Sequence, residues 1–216
     1  MSKASIYKDI FDTKTIVVKE FISHSEKPYT LNMSKLLSSP QLFDNLTLHI
    51  ENIIKTKNLE FDKICATSIS SMAFATNTAT SFEKPICYIT DNGNDIETQN
   101  IKNLRIEGGM EIDDKMLVIA TLCNNDFYLE NVIERIRKYG GEIVGIIIIL
   151  NTCEGEYINL IEAGETCLPV LNLFDIFTHL ENNNLIEMFY SEKIKFYCER
   201  ETKTNIKKLL NKQMAS

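Results

Sequence analysis

No apolar run in this chain approaches the ~20 residues of a membrane-spanning helix. The longest, Ile143 to Leu150, has the length of a strand and is interrupted by Gly145. No CxxC pair occurs: Cys65, Cys87, Cys123, Cys153, Cys167 and Cys198 are scattered, several of them in apolar strand contexts. They read as reduced and mostly buried thiols, which places the chain in the cytosol by default. There is no excess of positive charge. The net charge of -7 argues against nonspecific nucleic-acid binding, which depends on neutralising phosphates. The first residues, Met-Ser-Lys-Ala-Ser, hold no apolar signal core. Neither an internal repeat nor an interdomain linker is visible. What remains is ordinary for one large α/β domain: 216 residues, 44% hydrophobic and 25% charged.

The chain is organised around Lys115 to Leu129. Met116 to Ile119 form a short apolar run, the composition of a strand buried on both faces. The polar cluster Asn124-Asn125-Asp126 follows. Phe127, Leu129, Val132, Ile133 and Ile136 then recur at helical spacing as far as Tyr139, and Gly140-Gly141 stop the helix. A second apolar strand, Ile143 to Leu150, completes a βαβ unit. The turn after such a strand is where open α/β sheets bind ligands. A phosphate there wants small residues and free N–H groups at the helix start. This turn holds no glycine, and Asp126 is placed to cap the helix with its own carboxylate.

Elsewhere, Ser5 to Phe11 reads as a helix, and Thr15 to Phe21 and Pro28 to Met33 as extended pieces. Leu42, Phe43, Leu46, Ile50, Ile53 and Ile54 share one helix face, with Ser39 as cap and Pro40 at the first position. Asp62 to Ala66 is a strand, Thr67 to Ser71 a polar turn, and Met72 to about Ser81 a small-residue helix. Pro85 to Thr90 is a strand, Asp91 to Asn103 a candidate mobile loop, and Leu104 to Ile106 a brief strand. Leu168 to Leu171, Phe174 to Leu180, Leu185 to Cys198 and the basic stretch Thr202 to Gln213 are read as a strand and three helices.

Several segments together carry a resemblance. They are Phe61-Asp62-Lys63-Ile64-Cys65 leading into Ser68 to Thr76, and Ile106-Glu107-Gly108. Tyr139 to Gly145, Leu168 to Ile176, and Tyr29 to Met33 with Leu37 to Pro40 extend the set. In this order they resemble the type I phosphoribosyltransferases, and most closely orotate phosphoribosyltransferase in the form found at the front of bifunctional UMP synthase. Phe196 to Arg200 with Lys207 to Leu210 resembles the start of that protein's decarboxylase half. The resemblance implies an α/β fold with a mostly parallel central sheet flanked by helices and a small N-terminal substrate-side hairpin. It implies a phosphoribosyltransferase-like domain over 1–195 and a basic C-terminal helix over 196–216. It also implies a homodimer, for which the apolar face of Leu42, Phe43, Leu46 and Ile50 offers surface; the competing account has those residues facing the core.

The functional positions depart from the family's pattern. Where the resemblance places two acids that hold ribose hydroxyls stand Ala120 and Thr121, and where it places a Thr/Gly-rich phosphate turn stand Asn124, Asn125 and Asp126. The diphosphate loop is matched by Thr67, Ser68, Ser70 and Ser71, with Ser70 in place of glycine. The loop expected to bring basic residues carries Asp91, Asp95 and Glu97 against Lys102, so it repels a diphosphate. Ser23-His24-Ser25 and Thr152 replace the residues expected to clamp orotate. His49 and His179 read as surface or capping residues, Cys123 as an idle thiol, and Asp113-Asp114 as a surface turn. The expectation is a phosphoribosyltransferase fold without its catalytic residues, reused for binding, scaffolding or regulation with an unidentified protein partner, needing no cofactor or metal. The alternative is a divergent active transferase of pyrimidine biosynthesis using phosphoribosyl diphosphate and magnesium.

Overall fold

The computed structural model describes residues 3–19, 27–91, 104–123, 128–152 and 155–213. Helix α1 (Lys3–Asp12) precedes an antiparallel hairpin of β1 (Ile16–Val18) and β2 (Tyr29–Leu31), the small N-terminal sheet expected from the sequence. A 3-10 helix, Met33–Ser38, leads into α2 (Pro40–Lys57). The Ser39 side chain accepts the Leu42 N–H at 3.3 Å, and Pro40 takes the position where a missing N–H costs nothing. At the other end Asn58 adopts the left-handed conformation (φ 54°) and its N–H closes the last turn.

The main sheet follows: β3 (Lys63–Ala66), α3 (Ile69–Ser81), β4 (Ile86–Asp91), β5 (Leu104–Glu107), β6 (Lys115–Cys123), α4 (Tyr128–Lys138), β7 (Glu142–Asn151), α5 (Gly155–Glu162), β8 (Cys167–Asn172), α6 (Leu173–Asn182) and α7 (Met188–Gln213). Its order is β5-β4-β3-β6-β7-β8, parallel except for the antiparallel edge strand β5. The chain winds outward from β3 in one direction and from β6 in the other. The order therefore reverses between these two central strands.

Burial on both faces explains the continuous apolar runs. On β6 and β7, Leu117, Ile119, Ile147 and Ile149 join the core shared with α1, α2, α3, α6 and α7. Met116, Val118, Ala120, Ile146 and Ile148 join the opposite layer under α4 and α5. Gly140 (φ +89°) and Gly141 end α4 as the sequence predicts. A Cβ on Gly141 would lie 2.9 Å from Ile136 Cγ2, so only glycine fits that exit.

Three expectations are corrected, and one element had none. Leu42, Leu46 and Ile50 are fully buried in the core, and Phe43 stacks on Phe74 with ring centroids 4.9 Å apart, so this face offers no apolar surface to a second subunit. Helix α3 begins at Ile69, not Met72, because Ser68 caps it three residues earlier than the apolar pattern suggests. Helix α5 had no sequence counterpart; it is short, and Leu160 is its buried apolar anchor. Leu185 to Cys198 and Thr202 to Gln213 are not separate helices. No glycine or proline interrupts 188–213, and α7 runs unbroken from Met188 through Cys198 to Gln213, with Leu185 to Glu187 ahead of it. Among the described residues no helix is long and apolar enough to cross a membrane.

Candidate functional site

The reversal of strand order between β3 and β6 opens a crevice at their carboxyl ends, the place where doubly wound sheets receive ligands. The residues at those two ends are Thr67, Ser68, Ser70 and Ser71 on one side and Ala120 and Thr121 on the other. The structure thus brings together the two sets that the sequence singled out separately.

Ser68 is the N-cap of α3. Its hydroxyl accepts the Ser71 N–H at 3.2 Å, while the Ser71 hydroxyl accepts the Ser68 N–H at 2.9 Å, a reciprocal capping box built from two serines. Ser71 is fully buried, and its hydroxyl donates to the Ser68 carbonyl at 2.9 Å. Two orphan donors of the helix start are thereby satisfied from within the chain.

Thr121 reaches across the crevice. Its hydroxyl lies 2.8 Å from Ser70 Oγ and 3.3 Å from Ser68 Oγ, and these two serine hydroxyls are 3.1 Å apart. Thr121 is only 5% exposed and stays in the β6 ladder beyond the predicted end of the strand. Ala120, 1% exposed, pairs in register with Ile148 and faces the apolar layer under α4. The two positions matching the family's acids therefore point to opposite faces of the sheet, one into hydrocarbon and one into a hydroxyl cluster. The cluster carries no formal charge. Thr67 is held by its backbone: its N–H donates to the Ile119 carbonyl at 3.2 Å, and its carbonyl accepts the Tyr128 hydroxyl at 2.6 Å.

Tyr128 was missed in the sequence. It ties the start of α4 to the β3–α3 turn, 61 positions apart, and nothing local marks it. Ile69, also missed, stands at the first position of α3 and is 93% exposed, an apolar side chain at the crevice mouth. Asn151 and Asn172 extend the polar rim along the carboxyl ends of β7 and β8, joined at 3.2 Å.

Other predicted positions fall away from the crevice or outside the description. Asn124, Asn125 and Asp126, the segment 92–103 and Ser23-His24-Ser25 lie outside the described residues. Thr152 is buried just after β7. His179 packs against Tyr7 near the end of α6, ring centroids 5.5 Å apart, and His49 sits half-buried on α2, where burial, Lys3 and the N-terminus hold its pKa low. Asp113 and Asp114 do form a turn. Asp114 accepts from Lys63 Nζ at 2.8 Å, and that bond, with the Glu111 N–H, holds its carboxyl below the usual range. This pair lies at the amino end of β6, opposite the crevice.

Among the described residues, the positions that match the family's acids present no carboxylate to a magnesium ion. A hard divalent cation takes carboxylate oxygens, and the crevice residues present hydroxyls. Among the described residues no group of three or more His, Cys, Asp or Glu side chains could hold a metal. The arrangement can donate and accept hydrogen bonds, and Thr121, Ser68 and Ser70 themselves carry no formal charge.

No family model matches the chain. Its similarity to individual proteins is consistent. It is 26% identical over 192 residues to the orotate phosphoribosyltransferase of Sulfurisphaera tokodaii, covering 88% of this chain and 95% of that one. It is 25% identical over 181 residues to the protein of the same name from Sulfolobus acidocaldarius, covering 83% and 88%. Among solved structures it superposes on Leishmania donovani UMP synthase with a TM-score of 0.75 at 17% identity, over 93% of this chain and 43% of that one. On orotate phosphoribosyltransferase from Aeropyrum pernix the TM-score is 0.69 at 15% identity, over 84% and 99%. Strand order, N-terminal hairpin and these superpositions agree: the chain has an orotate phosphoribosyltransferase-like, type I phosphoribosyltransferase fold.

Proposed function

We propose that this chain is a binding protein built on the frame of an orotate phosphoribosyltransferase, acting by recognition and without phosphoribosyl transfer. The observation that carries the reading is the hydroxyl cluster of Thr121, Ser68 and Ser70 across the central crevice. Transferring a phosphoribosyl group builds up charge on ribose and diphosphate, and preorganised charge is what lowers such a barrier. Here the crevice closes on itself through neutral hydroxyls. A homodimer and a protein partner belong to this reading as proposals; the α2 face does not supply the dimer contact.

A second reading has a specific observation behind it. The archaeal relative from Sulfurisphaera tokodaii named orotate phosphoribosyltransferase aligns over 88% of this chain and 95% of its own length. That name speaks for turnover more directly than any comparison speaks for its loss. One assay decides between the two: orotate, phosphoribosyl diphosphate and magnesium are supplied, and diphosphate release is followed beside a calorimetric titration. The binding reading expects neither orotate-dependent release nor saturable phosphoribosyl diphosphate binding. Saturable, orotate-dependent release would establish the second reading and end the first.

A further inference from the structure

We propose that Cys65 and Cys87 form a thiol pair that a hydroperoxide converts to an intramolecular disulfide. This inference is independent of any reading of the crevice. Cys65 on β3 and Cys87 on β4 are register partners on adjacent parallel strands, and both are free and fully buried. Partners in register on parallel strands project to the same face, and both cysteines belong to the layer that contains Val118 and Ala120. Neighbouring strands run about 4.8 Å apart, inside the ~4.4–6.8 Å Cα separation that a disulfide spans. The Cys65 thiol donates to the Ala66 carbonyl at 3.9 Å, and Cys87 is the neighbour that most perturbs it.

The pair is asymmetric, and the asymmetry assigns the roles. Lys63 shares the Cys65 face of β3, and its ammonium is held by the Gly109 carbonyl at 2.9 Å and by Asp114 at 2.8 Å. The adjacent Cys65 thiol draws the Cys87 thiol below its ordinary pKa and the Lys63 ammonium adds to this, while burial and the Asp114 carboxylate oppose it. Its proximity to Cys87 and its burial push Cys65 up. The thiolate is the reactive form of cysteine, so Cys87 is the attacking sulfur. Cys87 stands on β4, one strand in from the sheet edge formed by β5. The residue beside it on the edge-strand side is Gly108, whose backbone packs so close that a built Cβ would sit 3.0 Å from Cys87 Cα and 2.7 Å from the Ile86 carbonyl. Backbone alone separates Cys87 from the sheet edge there, and a hydroperoxide is small and neutral enough to enter by a local opening of the short strand β5.

The chemistry balances in two steps. The Cys87 thiolate attacks the hydroperoxide O–O bond, forming a sulfenic acid as the hydroxide or alkoxide leaves and is protonated. Cys65 then attacks the Cys87 sulfur, forming the S–S bond and releasing water. Two thiols are oxidised, and one peroxide is reduced to two molecules of water or to water and an alcohol.

The test uses the unaltered chain, exposed under native conditions to equimolar hydrogen peroxide and then alkylated, digested and weighed. The expected result is a loss of about 2 Da, reversed by dithiothreitol, with peptides containing Cys65 and Cys87 linked. In Cys65→Ser the reaction stops at a Cys87 sulfenic acid that a dimedone probe captures; in Cys87→Ser no sulfenic acid forms at Cys65 over the same exposure. Absence of the mass loss, a link between other cysteines, or probe capture at Cys65 in Cys87→Ser overturns the proposal. The first of these needs no variant, so a substitution that fails to fold leaves the proposal open to refutation.

Discussion

Returning carboxylates to Ala120 and Thr121 separates the energetics of the two positions. The Ala120 side chain lies in a layer with Val118, Leu129, Ile146 and Ile148. An aspartate there is a buried charge without a partner, which costs about 3–5 kcal/mol. Thr121→Asp instead places its oxygens near Ser70 and Ser68, at 2.8 and 3.3 Å from the present hydroxyl. Two hydroxyl donors to a carboxylate offset most of its desolvation, so that change costs about 1 kcal/mol or less. Each pKa unit is about 1.4 kcal/mol, so a penalty near 3 kcal/mol lifts the carboxyl introduced by Ala120→Asp from about 3.9 to about 6.

The sign follows from proton linkage. With its pKa raised on folding, the carboxyl of Ala120→Asp holds its proton longer in the folded state. Its stability relative to the parent chain therefore falls as pH rises from about 4 through about 6. Thr121→Asp shows no such added slope. Urea unfolding at a series of pH values measures both, with the slope against denaturant as the check that folding stays two-state. The double variant is also expected to show no orotate turnover above background, since groups that act as a unit contribute little when one part is returned alone. Equal stability of the two single variants at neutral pH, or a flat pH response of Ala120→Asp, would refute the placement of Ala120. Saturable orotidylate formation by the double variant would refute the account of the crevice.

Three further outcomes are expected. Ser68→Ala removes the α3 cap and costs about 1 kcal/mol, lowering the melting temperature followed by circular dichroism by about 2–4 °C; an unchanged melt contradicts the capping box. Lys63→Met strips the ammonium from Asp114 and the Gly109 carbonyl and costs about 2–3 kcal/mol in urea unfolding at neutral pH. Because the Asp114 carboxyl is held below its usual value of 3.8, that contribution is present above the usual value and lost as pH falls through the folded one, so the gap to the parent chain narrows in acid. Phe74→Ala empties a fully buried site against Phe43 and costs about 3–5 kcal/mol, checked by the same denaturation.

Most of the sheet was legible because strands buried on both faces write continuous apolar runs, as Met116 to Ile119 and Ile143 to Leu150 do. Ser39-Pro40 and Gly140-Gly141 marked helix ends by mechanisms local to a few residues. The failures have physical causes too. The apolar face of α2 is visible at period 3.6, but periodicity does not say whether core or partner covers it, and here it is the core. The serine run before Met72 hid the start of α3, since the capping box uses Ser71 where the sequence signature is Glu or Gln. Residue identity in the site was readable at each position. Its geometry was not: the bonds joining Thr121 to Ser68 and Ser70 bridge 53 and 51 positions of sequence and exist only once β3 and β6 pair.

That hydroxyl cluster also explains why the fold can stand without the family's acids. An ionised carboxylate can only accept hydrogen bonds, so an acid in the place of Thr121 depends on a cation or a donor for its partner. Hydroxyls both donate and accept. Three of them, within 3.3 Å of one another, satisfy their own hydrogen-bonding capacity with nothing bound. The serine that joins the cluster also caps α3, so site and helix share one residue. A ligand entering there must replace hydroxyl–hydroxyl bonds, each worth about 1 kcal/mol net. It gains only by offering hydrogen bonds of at least equal quality to those it replaces.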